Sequence, residues 1–135
     1  MIVFELNPQY LHIHWDKIAK YLQPALDLSG VEEFNLDQMK NYIVNGQWNL
    51  FLVTEDKEIC GAVVVCFANY PNDYIAFVTA IGGKFISDKA ISDQFKELLK
   101  SMGATKIQGY ARDSVARLWK RIGFKNKQIL VEYKL

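Results

Sequence analysis

The sequence predicts an α+β fold in three layers, one mixed sheet with helices on both faces. Three observations lead there. The chain has 135 residues, half of them hydrophobic and 23% charged, which suits a single domain spanning 1–135 that needs no metal or disulfide staple. The hydrophobic period switches along the chain from helical to alternating and back. Finally, an antiparallel meander is followed by an amphipathic helix and a further strand, a βαβ unit whose two strands should run parallel.

Ile2 to Leu6 alternates and reads as the first strand. Asn7-Pro8 marks a helix start, Asn as cap and Pro at the first helical position. Trp15, Ile18, Ala19 and Leu22 then share one apolar face, which Pro24 should interrupt, leaving Gln23 to Gly30 as a bend. Asn35 with Gln38 forms a capping box for a second helix, with Leu36, Met39, Tyr42 and Ile43 on one face and Gly46 as its stop. Trp48 to Thr54 and Ile59 to Ala68 are rich in β-branched and aromatic residues and flank Glu55-Asp56-Lys57-Glu58, a hairpin. Tyr74 to Ala80 extends the meander after the turn Pro71-Asn72-Asp73, and Gly82-Gly83 ends that strand.

A helix from about Ser87 to Met102 carries Ile91, Phe95, Leu98, Leu99 and Met102 as its stripe, with Ser87 as cap and Gly103 as stop. Thr105 to Tyr110 is the next strand. A short helix from about Asp113 presents Val115, Leu118, Trp119 and Ile122, and a last strand from about Gln128 to Leu135 completes the order β-α-α-β-β-β-α-β-α-β.

Composition excludes several classes. No apolar run approaches the roughly 18 residues of a membrane span, and no basic segment precedes an apolar one at the N-terminus, so the expected location is the cytoplasm. Cys60 and Cys66 lie on one strand, too far apart to pair, and read as structural thiols. His12-x-His14 lies on a helix, where its members diverge, and no metal cluster is apparent. Charge is unevenly spread: Lys100 to Leu135 carries +7 and the preceding part −6. A basic third of this kind suits an anionic ligand, whether nucleotide phosphates or a nucleic-acid backbone, and equally a solvated face.

Asp113-x-x-Ala116-x-x-Trp119-x-x-x-Gly123-Phe124 is similar to the C-terminal pattern Asn-x-x-Ala-x-x-Tyr-x-x-x-Gly-Phe of the GNAT superfamily, the Gcn5-related N-acetyltransferases. The hairpin from Trp48 to Val65 and the order of elements also resemble that family, including small divergent members of the kind found in tailed bacteriophages. The resemblance implies that the fourth and fifth strands are parallel and splayed, with acetyl-CoA between them. Val78 and Ala80 would then offer backbone to the pantetheine arm. Gly82, Gly83, Lys84, Ser87 and Lys89 would surround the pyrophosphate, and Trp119 would line the site. The family's Arg/Gln-x-x-Gly-x-Gly/Ala signature is missing. With Lys84 in its first position, Ser87 and Lys89 stand where small residues belong, and Asp88 sets a carboxylate beside the phosphates.

In many members a Tyr in the motif's aromatic position protonates the departing thiolate. Here that position holds Trp119, whose indole N–H is not a practical proton source. Tyr110 is the nearest remaining phenol and Asp73 the nearest carboxylate, at the mouth of the fourth strand. The resemblance thus implies an acyl-CoA-dependent N-acetyltransferase acting on the amine of a small molecule or protein. The alternative is a catalytically degenerate GNAT-fold binding or structural protein. Nucleic-acid binding, with Tyr110 and Trp119 as stacking residues, is disfavoured because Trp119 shares an apolar stripe. No membrane partner is expected, and the state of self-association, homo-oligomer or monomer, is left open.

Overall fold

The computed structural model describes residues 1–135. Its elements are β1 (Ile2–Glu5), α1 (Leu11–Ser29), α2 (Leu36–Val44), β2 (Asn49–Glu55), β3 (Glu58–Asn69), β4 (Tyr74–Gly83), α3 (Lys84–Ser87), α4 (Lys89–Ser101), β5 (Lys106–Gly109) and α5 (Asp113–Lys120). The five strands lie side by side in chain order. Every pair is antiparallel except β4 and β5, which run parallel as the βαβ reading requires. The β2–β3 turn puts Asp56 and Lys57 at φ 50° and 68°, the left-handed pair that suits a two-residue hairpin.

Alternation along the central strands sorts the core into two layers. Leu50, Leu52, Ala62 and Val64 pack beneath α1 and α2 with Leu11, Ile18, Leu22, Met39 and Ile43. Phe51, Val53, Val63 and Val65 point the other way, against Phe85, Ile91, Phe95 and Leu99 of α3 and α4. With helices on both faces, β2 and β3 read as continuous apolar runs.

The capping box of α2 is present, with Asn35 N–H donating to Gln38 Oε1 and Gln38 N–H to Asn35 Oδ1, both at 2.9 Å. Four expectations are corrected. Asn7 caps a single 3-10 turn, Pro8–Tyr10, that precedes α1. Pro24 does not end α1, which continues to Ser29 and stops at Gly30 in the left-handed region. An interior proline costs about 3 kcal/mol. Leu22 and Leu26 on either side of it are buried, and at about 1.5–3 kcal/mol each they offset that cost. The third correction concerns the start of α4. Gly82 and Gly83 still belong to β4, a separate turn of helix follows at Lys84–Ser87, and the cap of α4 is Asp88 rather than Ser87. Lastly, Gln128–Leu135 forms no strand. Its alternating pattern supplies a strand's side chains, but a strand also needs a partner, and the chain gives it none.

Candidate active site

The site begins with one residue out of step. Val65 of β3 pairs with Val78 of β4, yet Val64 pairs with Ala80, so Thr79 is an extra residue with no opposite number. Its hydroxyl donates to the carbonyl of Val64 at 3.1 Å and fixes the bulge in place. A bulge bends its strand and reverses the sense of alternation beyond it. Ala76 and Val78 accordingly join the core under α4, whereas Ala80 joins the core under α1.

The bulge sits where β4 and β5 part. Their pairing runs from Ile75↔Lys106 to Val78↔Gly109, and β4 continues to Gly83 paired with β3 alone. On that side the β4 backbone beyond Val78 therefore has no neighbouring strand. A crevice of about 80 Å³ opens there, walled by Val78 to Ile81, by Ala25 and Leu28 of α1, and by Tyr110, Arg112, Val115 and Trp119. It is large enough for several waters. A longer ligand would lie along its open mouth.

Trp119 is the partition of this region. It is 8% exposed and also walls a second, smaller cavity of about 20 Å³ with Phe95, Ile107, Ile122 and Phe124. Gly109 lies beneath its ring, where a Cβ would stand in ordinary contact with the indole at 4.0 Å and tighter, at 3.3 Å, against the Val78 carbonyl. No buried side-chain nitrogen or oxygen lacks a partner, so the indole N–H keeps contact with solvent. Tyr110 is exposed at the crevice mouth, its ring edge-on to Phe77 at 5.2 Å.

The residues expected around a pyrophosphate are dispersed in role. Gly82 lies directly beneath α1, where a Cβ would collide with the backbone carbonyl of Tyr21, and at Gly83 it would collide with that of Cys60. Both glycines thus allow close packing of β4. Ser87 ends α3 and is exposed. Asp88 accepts from the Ile91 N–H at 3.1 Å, so a carboxylate already caps the N-terminus of α4. Lys89 pairs with Asp93 at 2.9 Å and holds that carboxyl below its usual range. Lys84 is exposed and makes no ion pair.

Asp73 is not brought to the crevice. It stands at the start of β4, six positions from Thr79 and so roughly 20 Å away at about 3.3 Å per residue. There Lys106 binds it at 2.7 Å and the Thr105 hydroxyl at 2.9 Å, and these two contacts, Lys106 first, hold its carboxyl below the ordinary value. Cys60 and Cys66 are half-buried free thiols, and burial raises the pKa of Cys60. His12 and His14 lie on α1, the first exposed and the second half-buried.

No family model and no curated protein sequence matches the chain. Solved structures do. The chain is similar to a probable acetyltransferase at 12% identity, covering 100% of this chain and 97% of that one with a TM-score of 0.72. It is similar to a predicted acetyltransferase with acetyl-CoA from Clostridium acetobutylicum at 15% identity, with 98% and 95% covered and a TM-score of 0.66. It is also similar to AAC(6')-Iy in complex with the bisubstrate analogue CoA-S-monomethyl-acetylneamine at 14% identity, with 99% and 97% covered and a TM-score of 0.68. The fold is that of the GNAT superfamily.

Within that GNAT fold the C-terminal motif has a clear structural meaning. Asp113 opens α5 and Ala116 and Trp119 lie on its inner side. Gly123 turns the chain at φ 100°, a conformation that favours glycine. Phe124 then packs its ring 5.3 Å from that of Trp119, while its N–H donates to the Trp119 carbonyl at 3.1 Å. Sequence reasoning missed Thr79 and Arg112. The one signal for Thr79 is a hydroxyl within an otherwise apolar strand. Arg112 precedes the motif and carries no signal of its own.

Proposed function

We propose that the chain is an acyl-CoA-dependent N-acetyltransferase acting on an amine. The observation that carries this reading is the bulge at Thr79, placed where β4 loses its β5 neighbour beyond Val78 while staying paired with β3, at the rim of a crevice lined by Trp119 and Tyr110. Two of the structural neighbours reported above were solved with acetyl-CoA or a CoA bisubstrate analogue, which supports the same cofactor here. When bound, acetyl-CoA would supply the acyl group already activated as a thioester.

The residues present fit one end of that molecule better than the other. The free β4 edge near Val78 and Ala80 can bond an amide-bearing arm, and Ala25, Leu28 and Trp119 shelter it from water. At the phosphate end Asp88 and Lys89 are already engaged. Lys84, past the end of β4, and Arg112, in the crevice wall, make no ion pair and are the proposed anion contacts. Tyr110 is the crevice side chain able to give and take a proton. Holding an amine beside an activated acyl group contributes most of such a catalyst's advantage. The acceptor is the amine of a small molecule or a protein. Two free thiols support a cytoplasmic setting, and no helix is long and apolar enough to cross a membrane.

A second reading, a GNAT-fold protein without catalysis, is favoured by the carboxylate of Asp88 at the N-cap of α4 and by Trp119 in place of a proton donor. Thermal melts separate the two. Millimolar acetyl-CoA should raise Tm by several degrees, and Lys84→Glu should reduce the rise. CoA release should appear when a simple primary amine is added. No rise in Tm and no CoA release would leave the second reading.

A further inference from the structure

We propose that Lys96 is a positioning residue for the crevice: its ammonium ties the end of α5 to α4 and so holds Trp119 in the crevice wall. The consequence for binding rests on the proposed acetyl-CoA site, since Trp119 walls the place given there to the pantetheine arm. The tie itself does not depend on that reading.

α5 is lightly anchored. Of its eight residues Trp119 alone is buried, so its seat on the sheet rests mainly on one indole. Behind that indole lies the cavity of about 20 Å³, closed on the α4 side by Ser92, Phe95 and Lys96. Across such a gap the ring loses dispersion contact and gains room to shift. α4 is the firmer element, with Ile91, Phe95 and Leu99 all buried against the central strands. A bond from α4 to the end of α5 therefore fastens the looser helix to the fixed one.

Lys96 supplies that bond. It is half-buried and makes no ion pair, and the carboxylate one turn back, Asp93, is already held by Lys89 at 2.9 Å. Its Nζ instead donates to the Ile122 carbonyl at 2.8 Å and stands 5.4 Å from the centre of the Phe124 ring. No backbone N–H bonds to that carbonyl. It belongs to the turn that closes α5, where unpaired carbonyls and the helix dipole favour a cation, and the ring face favours one as well. Two convergent contacts hold this lysine in one place, at a cost in rotamer freedom that a solvated lysine does not bear.

The hold reaches Trp119 through a short closed stretch of chain. The N–H groups of Ile122 and Phe124 both donate to the Trp119 carbonyl, at 3.0 and 3.1 Å, and the Phe124 ring packs 5.3 Å from the indole. Fixing Ile122 and Phe124 therefore fixes Trp119. Without the Lys96 bond the indole is free to shift between the cavity on one side and the crevice on the other, both of which it walls. The crevice wall would then no longer stand at a set distance from Val78, and a ligand would have to order it on binding.

Fluorine NMR of the full chain labelled with fluorotryptophan tests this, because its three tryptophans give three resonances and that of Trp119 is the one lost in Trp119→Phe. Lys96→Met keeps the aliphatic stem and removes the donor, whereas Lys96→Arg keeps both charge and donor. In Lys96→Met the Trp119 resonance should shift or broaden while those of Trp15 and Trp48 stay in place. The dissociation constant for acetyl-CoA, measured by calorimetry, should rise about five- to tenfold in Lys96→Met, and Lys96→Arg should restore both the resonance and the affinity. Lys96→Gln, whose amide is too short to make the bond, replaces Lys96→Met if that variant does not fold, with the same outcome expected. A Trp119 resonance unmoved by loss of the donor overturns the proposal, and so does a moved resonance with unchanged acetyl-CoA affinity. A parent chain that binds no acetyl-CoA defeats the proposed activity instead; the tie is then decided by the resonance alone, upheld if it moves and returns in Lys96→Arg and overturned if it does not.

Discussion

The hydroxyl of Thr79 donates to the carbonyl of Val64 across 3.1 Å, at the position where β4 gains one residue on β3. That bond holds the extra residue where the sheet begins to open. A Val at this position keeps the volume and loses the donor. Thr79→Val should cost about 0.5–1.5 kcal/mol in urea unfolding, and it should also weaken the acetyl-CoA stabilisation, because the free β4 edge begins here. A variant as stable as the parent with an unchanged ligand shift would make the bulge independent of this bond.

Gly82 of β4 packs directly against the backbone of α1. A Cβ there meets the Tyr21 backbone, which unlike a flexible side-chain tip cannot swing aside. Gly82→Ala should therefore destabilise by more than about 2 kcal/mol, beyond the usual range of surface substitutions. Far-ultraviolet circular dichroism during thermal unfolding measures it, and an unchanged midpoint would show that α1 lies higher above the sheet.

Phe95 is buried between two aromatic neighbours, edge-on to Phe51 at 5.4 Å and to Phe85 at 5.3 Å. Phe95→Ala should cost about 3–5 kcal/mol. Leu98, one turn on, is only half-buried, and its removal should cost less than that of Phe95. Chemical denaturation of the two variants orders them, and a reversed order would mean that α4 is rotated about its axis.

Asp73 has a depressed carboxyl pKa, chiefly through its bond from Lys106 and then that from Thr105. A group depressed in the folded state stabilises above its unfolded value of about 3.9, and that contribution is lost as pH falls through the lower folded value. Asp73→Asn should be less stable than the parent near neutral pH, with the gap closing as pH is lowered below about 4. A gap that widens towards acid would contradict the assignment.

Trp119 separates the two functional readings. Trp119→Tyr puts a phenol on the crevice wall where the indole now stands, at some cost in packing. If the parent binds acetyl-CoA but transfers slowly, this variant should release CoA faster with a primary amine as acceptor, since only a proton donor would have been missing. Should the parent turn over rapidly and Trp119→Tyr no faster, the donor is Tyr110 or water, and Tyr110→Phe identifies which.

Sequence alone determined whatever depends on neighbours in the chain. The Asn35–Gln38 capping box, the Asp56-Lys57 turn, the stripe of α4 and the parallel βαβ unit were legible because helical period, turn chemistry and crossover length are local properties. The C-terminal motif was legible as spacing, and with it the resemblance to the GNAT fold. Tertiary structure decided the rest. Read as a simple alternation, Ala76, Val78 and Ala80 share one face; the bulge at Thr79 puts Ala80 on the other, because register depends on β3 as much as on β4. Pro24 reads as a break until Leu22 and Leu26 are seen to be buried on both sides of it. Asp73 reads as a neighbour of the site until the length of β4 separates them. Gln128–Leu135 has every local feature of a strand and still forms none, because a strand's hydrogen bonds belong to a pair of segments and its sequence is only one of the two.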